Sequence, residues 1–157
     1  MNNKLKCAII GYGYMGEIRH RMVRLHPETE LLMICETNPE KIKEDYNIAV
    51  VKDPNEVLDI GVDAVFICTP NHLIPDLAIK CLESGKNVFC EKPPGRTLED
   101  IVRMQDAEKK NPGIKLMFGF NHQQHHLLCL QLNPKADLKF SLASAIGVHG
   151  QMINNQL

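Results

Sequence analysis

The residues best suited to bind a ligand form a glycine-rich stretch close to the amino terminus. Gly11, Gly13 and Gly16 have the spacing G-x-G-x-x-G and follow the apolar run 5–10. In a strand–turn–helix unit, the first glycine allows the tight turn and the second lets a pyrophosphate approach the backbone. The third glycine lets the helix pack closely on the strand, and the positive end of that helix attracts an anion. The pattern predicts a phosphate-binding turn made by Gly11, Tyr12, Gly13, Tyr14, Met15 and Gly16.

A carboxylate ends the second apolar run of the chain. The run 31–35 leads into Glu36, about twenty residues beyond the last glycine, which is the separation at which an acid reaches the adenosine ribose hydroxyls. Glycine turn and acid together predict dinucleotide binding, the alternative being a structural turn and a solvated acid. Glu36 would repel a 2′-phosphate, and Thr37 stands where an NADP enzyme would often have arginine. NAD is therefore expected in preference to NADP.

A lysine is the strongest candidate for proton chemistry. Lys92 follows the apolar run 87–90 and lies between Glu91 and a Pro93-Pro94-Gly95 turn. A fixed backbone and a neighbouring acid allow its ammonium group to be aimed at a ligand oxygen. The alternative is a surface lysine on a loop, but the position at the end of a strand favours the functional interpretation.

The elements that must position these groups alternate regularly. Strands are predicted at 5–10, 31–35, 48–51, 63–68, 87–90 and 115–120, and helices after the glycine turn, from Pro39, at 54–58, at 74–84 and at 97–110. This alternation predicts an α/β fold with a doubly wound parallel sheet and right-handed crossovers. Ligands bind such sheets at the carboxyl ends of the strands. That edge collects the glycine turn, Glu36, Thr37, Thr69, Pro70, Asn71, His72, Glu91, Lys92, Pro93 and Asn121.

Composition excludes several classes of protein. The 157 residues are 44% hydrophobic and 24% charged, with a net charge of −1, so the chain has no basic field for nucleic acid or an acidic membrane. We expect a cytoplasmic protein, because the chain has neither a long apolar span nor a signal-peptide core. The six cysteines lack C-x-x-C spacing and are expected to be buried thiols. No acid or cysteine completes a metal site around His122, His125 and His126, so no metal is expected.

Several motifs together resemble the amino-terminal half of the Gfo/Idh/MocA oxidoreductase family, which contains glucose–fructose oxidoreductase and the inositol dehydrogenases. The likeness covers about residues 4–126 and rests on the glycine turn, C-T-P-N at 68–71, G-K-N-V-F-C-E-K-P at 85–93 and G-F-N at 119–121. The resemblance implies a nicotinamide cofactor and hydride transfer to or from a carbon of a sugar or polyol. Lys92 would bind the reacting hydroxyl or carbonyl and help move its proton. Glu91 and Pro93 would set the loop beside the nicotinamide ribose.

The chain departs from the family pattern at three places. Ile74 stands where many members have a histidine, with His72 two residues earlier, and Gln123 and Gln124 stand where an arginine commonly follows. By the same resemblance, we expect the family's substrate-selecting α/β domain to be absent from this sequence. We therefore expect a truncated chain that binds NAD but does not turn over polyols without that domain. The sequence leaves open whether the peptide bonds at Pro93 and Pro94 are cis or trans.

The predicted domain organisation is a dinucleotide-binding domain at 1–121 and an atypical tail at 122–157. Residues 127–157 have no periodic apolar face, so the tail is expected to be loosely packed. Two alternative functions remain: a non-catalytic dinucleotide-sensing or interaction domain, which would not need Lys92, and another nucleotide-binding protein such as a methyltransferase, which the E-K-P turn disfavours. The sequence predicts neither the substrate, the reaction direction nor the oligomeric state.

Overall fold

The computed structural model describes residues 4–42 and 48–119. The strands are β1 (Leu5–Ile10), β2 (Thr29–Cys35), β3 (Ala49–Val51), β4 (Ala64–Ile67), β5 (Asn87–Cys90) and β6 (Leu116–Phe118). The α-helices are α1 (Tyr14–Leu25), α2 (Asn55–Asp59), α3 (Ile74–Glu83) and α4 (Leu98–Lys110). Each strand except β6 is followed, within the described ranges, by a helical segment.

The strands form one parallel sheet in the order β3-β2-β1-β4-β5-β6. The chain therefore builds outward from β1 to β3 and then returns to place β4 on the other side of β1. Such a reversal opens a crevice at the carboxyl ends of the two central strands, which is where ligands bind in open α/β sheets. The predicted doubly wound α/β fold is confirmed.

Both faces of the sheet are covered, which explains why its central strands are almost continuously apolar. Phe66 of β4 packs with Val23 of α1 on one face, whereas Val65 packs with Leu82 of α3 and Met104 of α4 on the other. All five side chains are fully buried, and burial of each stabilises the fold by roughly 1.5–3 kcal/mol. The site elements are thus fixed to a two-sided core.

Local signals set the ends of the helices near the site. Gly85, at φ +74°, follows α3 and adopts the left-handed conformation that suits glycine. A capping box opens α4: the Asp100 N–H donates to Thr97 Oγ1 at 3.2 Å, and the Thr97 N–H donates to Asp100 Oδ2 at 3.1 Å. Gly85 thus returns the chain towards β5, and the capping box starts the helix that leads to β6.

The structure differs from the sequence-based expectations in detail. The helix expected from Pro39 is a single 3-10 turn at Pro39–Lys41 without a side-chain cap, and β6 is three residues long because its pairing with β5 covers only that length. Asn121 and the tail at 122–157 lie outside the described residues, as do His122, His125 and His126. No helix in the described ranges is long and apolar enough to cross a membrane.

Candidate functional site

The three positions of the turn after β1 differ in whether the fold requires glycine there. Gly11 has φ +91°, and a Cβ there would lie 2.8 Å from the Cys68 carbonyl oxygen. A Cβ on Gly16 would lie 2.2 Å from the Gly11 carbonyl oxygen, so neither position tolerates a side chain. Gly13 has φ −87°, and a Cβ there would meet no atom of the described residues within 4 Å. The fold therefore requires two of the glycines, and the third leaves open backbone of the kind that a pyrophosphate needs.

Glu36 lies against this turn and is only 7% exposed. Its Oε2 accepts the Tyr12 N–H at 2.7 Å, while Oε1 accepts the Asn38 N–H at 2.9 Å and the Thr37 hydroxyl at 3.1 Å. Lys41 Nζ is 3.9 Å from Oε1. Burial alone would raise the pKa of Glu36, but these hydrogen bonds and the lysine outweigh it and lower the pKa below its usual value. The carboxylate is thus ionised and held in one orientation.

A cleft of about 530 Å³ opens between the glycine turn and the ends of β2 and β4, a volume typical of cofactor sites. Seven predicted site residues line it: Gly11, Tyr12, Gly13, Glu36, Thr37, Thr69 and Pro70. The Thr69 hydroxyl oxygen is buried and has no hydrogen-bond partner among the described residues. The cleft wall therefore combines apolar surface with polar groups of unused hydrogen-bonding capacity.

The other predicted site residues within 4–42 and 48–119 are not part of the cleft lining. Tyr14, Met15 and Gly16 form the first turn of α1, and Asn71 and His72 lie in the turn before α3. Glu91, Lys92 and Pro93 follow β5, which is separated from β1 by β4. The structure therefore divides the predicted residues into one group around the glycine turn and another at the end of β5.

Sequence reasoning missed part of the cleft lining. The additional residues are Ile10, Cys35, Lys41, Lys52, Pro54, Cys68, Leu73, Asp76 and Leu77. Leu73 is 45% exposed at the start of α3, and Asp76 Oδ1 accepts a hydrogen bond from Arg103 Nη2 at 2.7 Å. A sequence signal was available for these two, because the first turn of a helix that follows a strand-end turn faces the same crevice.

Glu91 points into the fold rather than into the cleft. It is 5% exposed, and its Oε1 accepts a hydrogen bond from Arg19 Nε of α1 at 2.8 Å. The Arg19 guanidinium lies over the Phe89 ring, 4.7 Å from its centroid. A Cβ on Gly119 would lie 3.2 Å from Glu91 Oε2. The acid is therefore enclosed between α1 and the sheet.

Lys92 is exposed and is the first residue beyond the hydrogen-bonded part of the sheet. The Glu91 N–H donates to the Ile67 carbonyl at 2.9 Å, and the Gly119 N–H donates to the Cys90 carbonyl at 2.9 Å. The peptide bond between Lys92 and Pro93 is cis. The lysine side chain thus leaves a backbone that neighbouring strands hold on both sides.

The described cysteines are free thiols: Cys7, Cys35, Cys68, Cys81 and Cys90. Burial raises the pKa of Cys7 and of Cys81 to about 12, and that of Cys35 to about 11. Within residues 4–42 and 48–119, no group of three or more His, Cys, Asp or Glu side chains could hold a metal ion. These thiols pack as small apolar groups.

Several known proteins are similar to this chain in sequence. The Gfo/Idh/MocA family model, an oxidoreductase family with an NAD-binding Rossmann fold, matches residues 5–120. The myo-inositol 2-dehydrogenase of Thermotoga maritima is 32% identical over 124 residues, which cover 76% of this chain and 37% of that protein. The NAD⁺-dependent scyllo-inositol 2-dehydrogenase of Bacillus subtilis is 33% identical over 128 residues, covering 76% of this chain and 36% of that protein.

A solved structure of an inositol dehydrogenase has a similar fold. The scyllo-inositol dehydrogenase of Lactobacillus casei, crystallised with NAD(H) and scyllo-inositol, matches with a TM-score of 0.69 at 25% identity, over 74% of this chain and 36% of that one. The chain thus spans little more than a third of the length of these relatives. With the glycine turn, the strand-end acid and the sheet order in place, the chain belongs to the Gfo/Idh/MocA oxidoreductase family.

Proposed function

We propose that this chain is the cofactor-binding part of an NAD-dependent oxidoreductase that acts on a hydroxyl or carbonyl carbon of a sugar or polyol. The observation that carries the proposal is Gly13, since its backbone conformation and its surroundings would both accept a side chain. Gly13 also lines the cleft at the amino end of α1, and at that place a glycine that the fold does not need is explained by the close approach of a ligand. The dehydrogenases named above support the same function.

The adenosine half of the dinucleotide is assigned to the cleft. The glycine turn and the amino end of α1 would bind the pyrophosphate, because the first N–H groups of a helix have no partner within it. Glu36 would accept the ribose hydroxyls, since an ionised carboxylate has about four acceptor positions and Oε2 receives one bond from Tyr12. The same negative charge would repel the 2′-phosphate of NADP.

The nicotinamide half is assigned to the ends of β4 and β5. These strands lie on the side of β1 opposite β2, so a dinucleotide bound across the switch point extends from Glu36 past residues 69–72 towards Lys92. Bound NAD supplies the hydride acceptor or donor. Lys92 would bind the reacting oxygen through Nζ and hold or move its proton. A non-catalytic sensing domain is not favoured, because it would make no use of this lysine.

Calorimetry with NADH provides the test, using two glycines that differ only in location. Gly61 is exposed, has no positive φ, and a Cβ there would meet no atom of the described residues within 4 Å. Gly13→Val and Gly61→Val should therefore both fold, yet only Gly13→Val should lose NADH binding. Binding that survives Gly13→Val, or a folded wild-type chain that binds no NADH at millimolar concentration, would refute the assignment.

These 157 residues are proposed to bind the dinucleotide without useful turnover of polyols. Substrate positioning supplies several kcal/mol of barrier reduction, roughly 7–11 in favourable cases, and the described residues include no second domain to provide it. A dehydrogenase assay on inositols and hexoses with the purified chain would decide this. Clear turnover by these residues alone would contradict the proposal.

A further inference from the structure

A buried ion pair joins the two groups of site residues. Arg19 is 2% exposed and Glu91 is 5% exposed, and they connect α1 with the end of β5 through the Nε–Oε1 hydrogen bond and a second contact from Nη2. Arg19 belongs to none of the sequence motifs that predict the site. Its location in the second turn of α1, the helix that begins at the glycine turn, makes it the charged link between that turn and the Lys92 region.

The surroundings of the pair are built to keep it in one geometry. The Phe89 ring lies under the guanidinium, a favourable cation–π arrangement in a site shielded from water. On the other side, Gly119 leaves the space that the acid needs, since a Cβ there would lie 3.1 Å from Phe89 Cζ and 3.2 Å from Glu91 Oε2. Each member of the pair is therefore confined by packing as well as by charge.

Fold stability alone does not account for such a pair. Removing two charges from water is costly, and well-packed apolar residues of similar volume are often equally or more stabilising. What a buried ion pair adds is a fixed orientation of the groups that carry it. Here the acid is the residue immediately before Lys92, and its own N–H is already bonded to Ile67. Main chain and side chain of Glu91 are thus both fixed where the sheet ends.

We propose that Arg19 is a positioning residue that acts through Glu91 to hold the 91–93 turn at the nicotinamide end of the site. The inference rests on the proposed function, because it uses the assignment of that turn to the nicotinamide half. Arg19 itself is buried and would not touch the cofactor. Glu91 is accordingly a positioning residue as well, and only Lys92 of this group reaches the reacting atoms.

The test compares two ligands that differ in the nicotinamide half. ADP retains the adenosine and both phosphates, whereas NADH carries the second ribose and the dihydronicotinamide as well. Calorimetry should measure both ligands on the wild-type chain and on the double variant Arg19→Met/Glu91→Leu, which leaves no unpaired buried charge and should fold. Urea denaturation verifies folding. Asp106→Asn/Lys109→Gln removes an exposed ion pair on α4 and serves as the control.

The double variant should bind ADP within about twofold of wild type but lose about tenfold in NADH affinity, the effect of one lost hydrogen bond of ordinary strength. The control variant should change neither affinity. Equal losses for both ligands, no loss for either, or a wild-type chain that does not distinguish NADH from ADP would overturn the positioning role. A wild-type chain that binds neither ligand would instead overturn the proposed function.

Discussion

Glu36 and Glu91 are two buried acids at the ends of parallel strands, and they are held in different ways. Glu36 is bonded to main-chain N–H groups and a neighbouring hydroxyl at the wall of the cleft. Glu91 is bonded to a cation from α1 and faces the interior. Hydrogen bonds from the local backbone hold the Glu36 carboxylate in position and leave it able to accept further hydrogen bonds from the cleft. The Glu91 carboxylate instead binds a buried arginine. The role of an acid at a strand end is therefore set by which groups donate hydrogen bonds to it, because both acids occupy the same kind of position in the sheet.

The largest effect that should separate the two acids is on stability. Glu91→Ala leaves the Arg19 guanidinium buried without its carboxylate, which should cost about 3–5 kcal/mol of unfolding free energy. Glu36→Ala removes hydrogen bonds beside a cleft that water can enter and should cost about 1–2 kcal/mol. Urea denaturation of both variants measures the difference. Equal losses would mean that the two acids are equivalent structural groups.

The second effect is on the pH dependence of stability and comes from His20. Tyr12 donates its N–H to Glu36, and its hydroxyl lies 2.6 Å from His20 Nδ1. Burial, and then the charges of Arg24 and Arg21, lower the pKa of His20 to about 4. Because the unfolded chain takes up the proton first, stability is complete above about pH 6.5 and declines as the pH falls towards 4. The loss should reach about 3 kcal/mol near pH 4.

Denaturation at pH 7.5 and pH 5 checks this effect in a range where most carboxylates stay ionised. His20→Asn should lose less stability between the two values than the wild-type chain does. His72→Asn, which changes an exposed imidazole, should keep the wild-type dependence. If His20→Asn also keeps it, the decline in acid has another origin.

The smallest effect is on cofactor choice. The wild-type chain should bind NAD about tenfold more tightly than NADP, equivalent to about 1.4 kcal/mol, because Glu36 repels the 2′-phosphate. Glu36→Ala should reduce this preference for NAD over NADP. Glu40 is an exposed acid on the adjacent 3-10 turn, and Glu40→Ala should leave the preference unchanged. Equal wild-type affinities would remove Glu36 from the ribose site; Lys41 and Lys52, which also line the cleft, would then be the groups to examine.

The sequence was sufficient for the fold because nearly all the determinants are local. Apolar runs, the glycine turn, the capping box and Gly85 mark the elements within a few residues of where they occur. It was also sufficient for the glycine turn and Glu36, since a motif with known spacing brings them together. The strand order then follows from the general rules for alternating α/β chains.

The sequence was insufficient where contacts link distant elements. Leu25 at the end of α1 is apolar yet 70% exposed, while the polar residues Arg19 and His20 are buried. The buried arginine is paired with Glu91, which lies 72 residues away in the chain and beside it in space. Nothing in the helical pattern of α1 indicates such a partner. Lys52 likewise lines the cleft because of how the segment after β3 packs, which the sequence pattern does not indicate.

The two outer strands of the sheet affect how a preparation of this chain would behave at high concentration. Within the described residues, β3 and β6 are each only three residues long, so each offers few main-chain groups for pairing with a strand of another molecule. Short outer strands are one of the means by which natural sheets avoid edge-to-edge aggregation. The part of the sheet that the structure describes therefore offers little main chain for self-association by continued β-pairing.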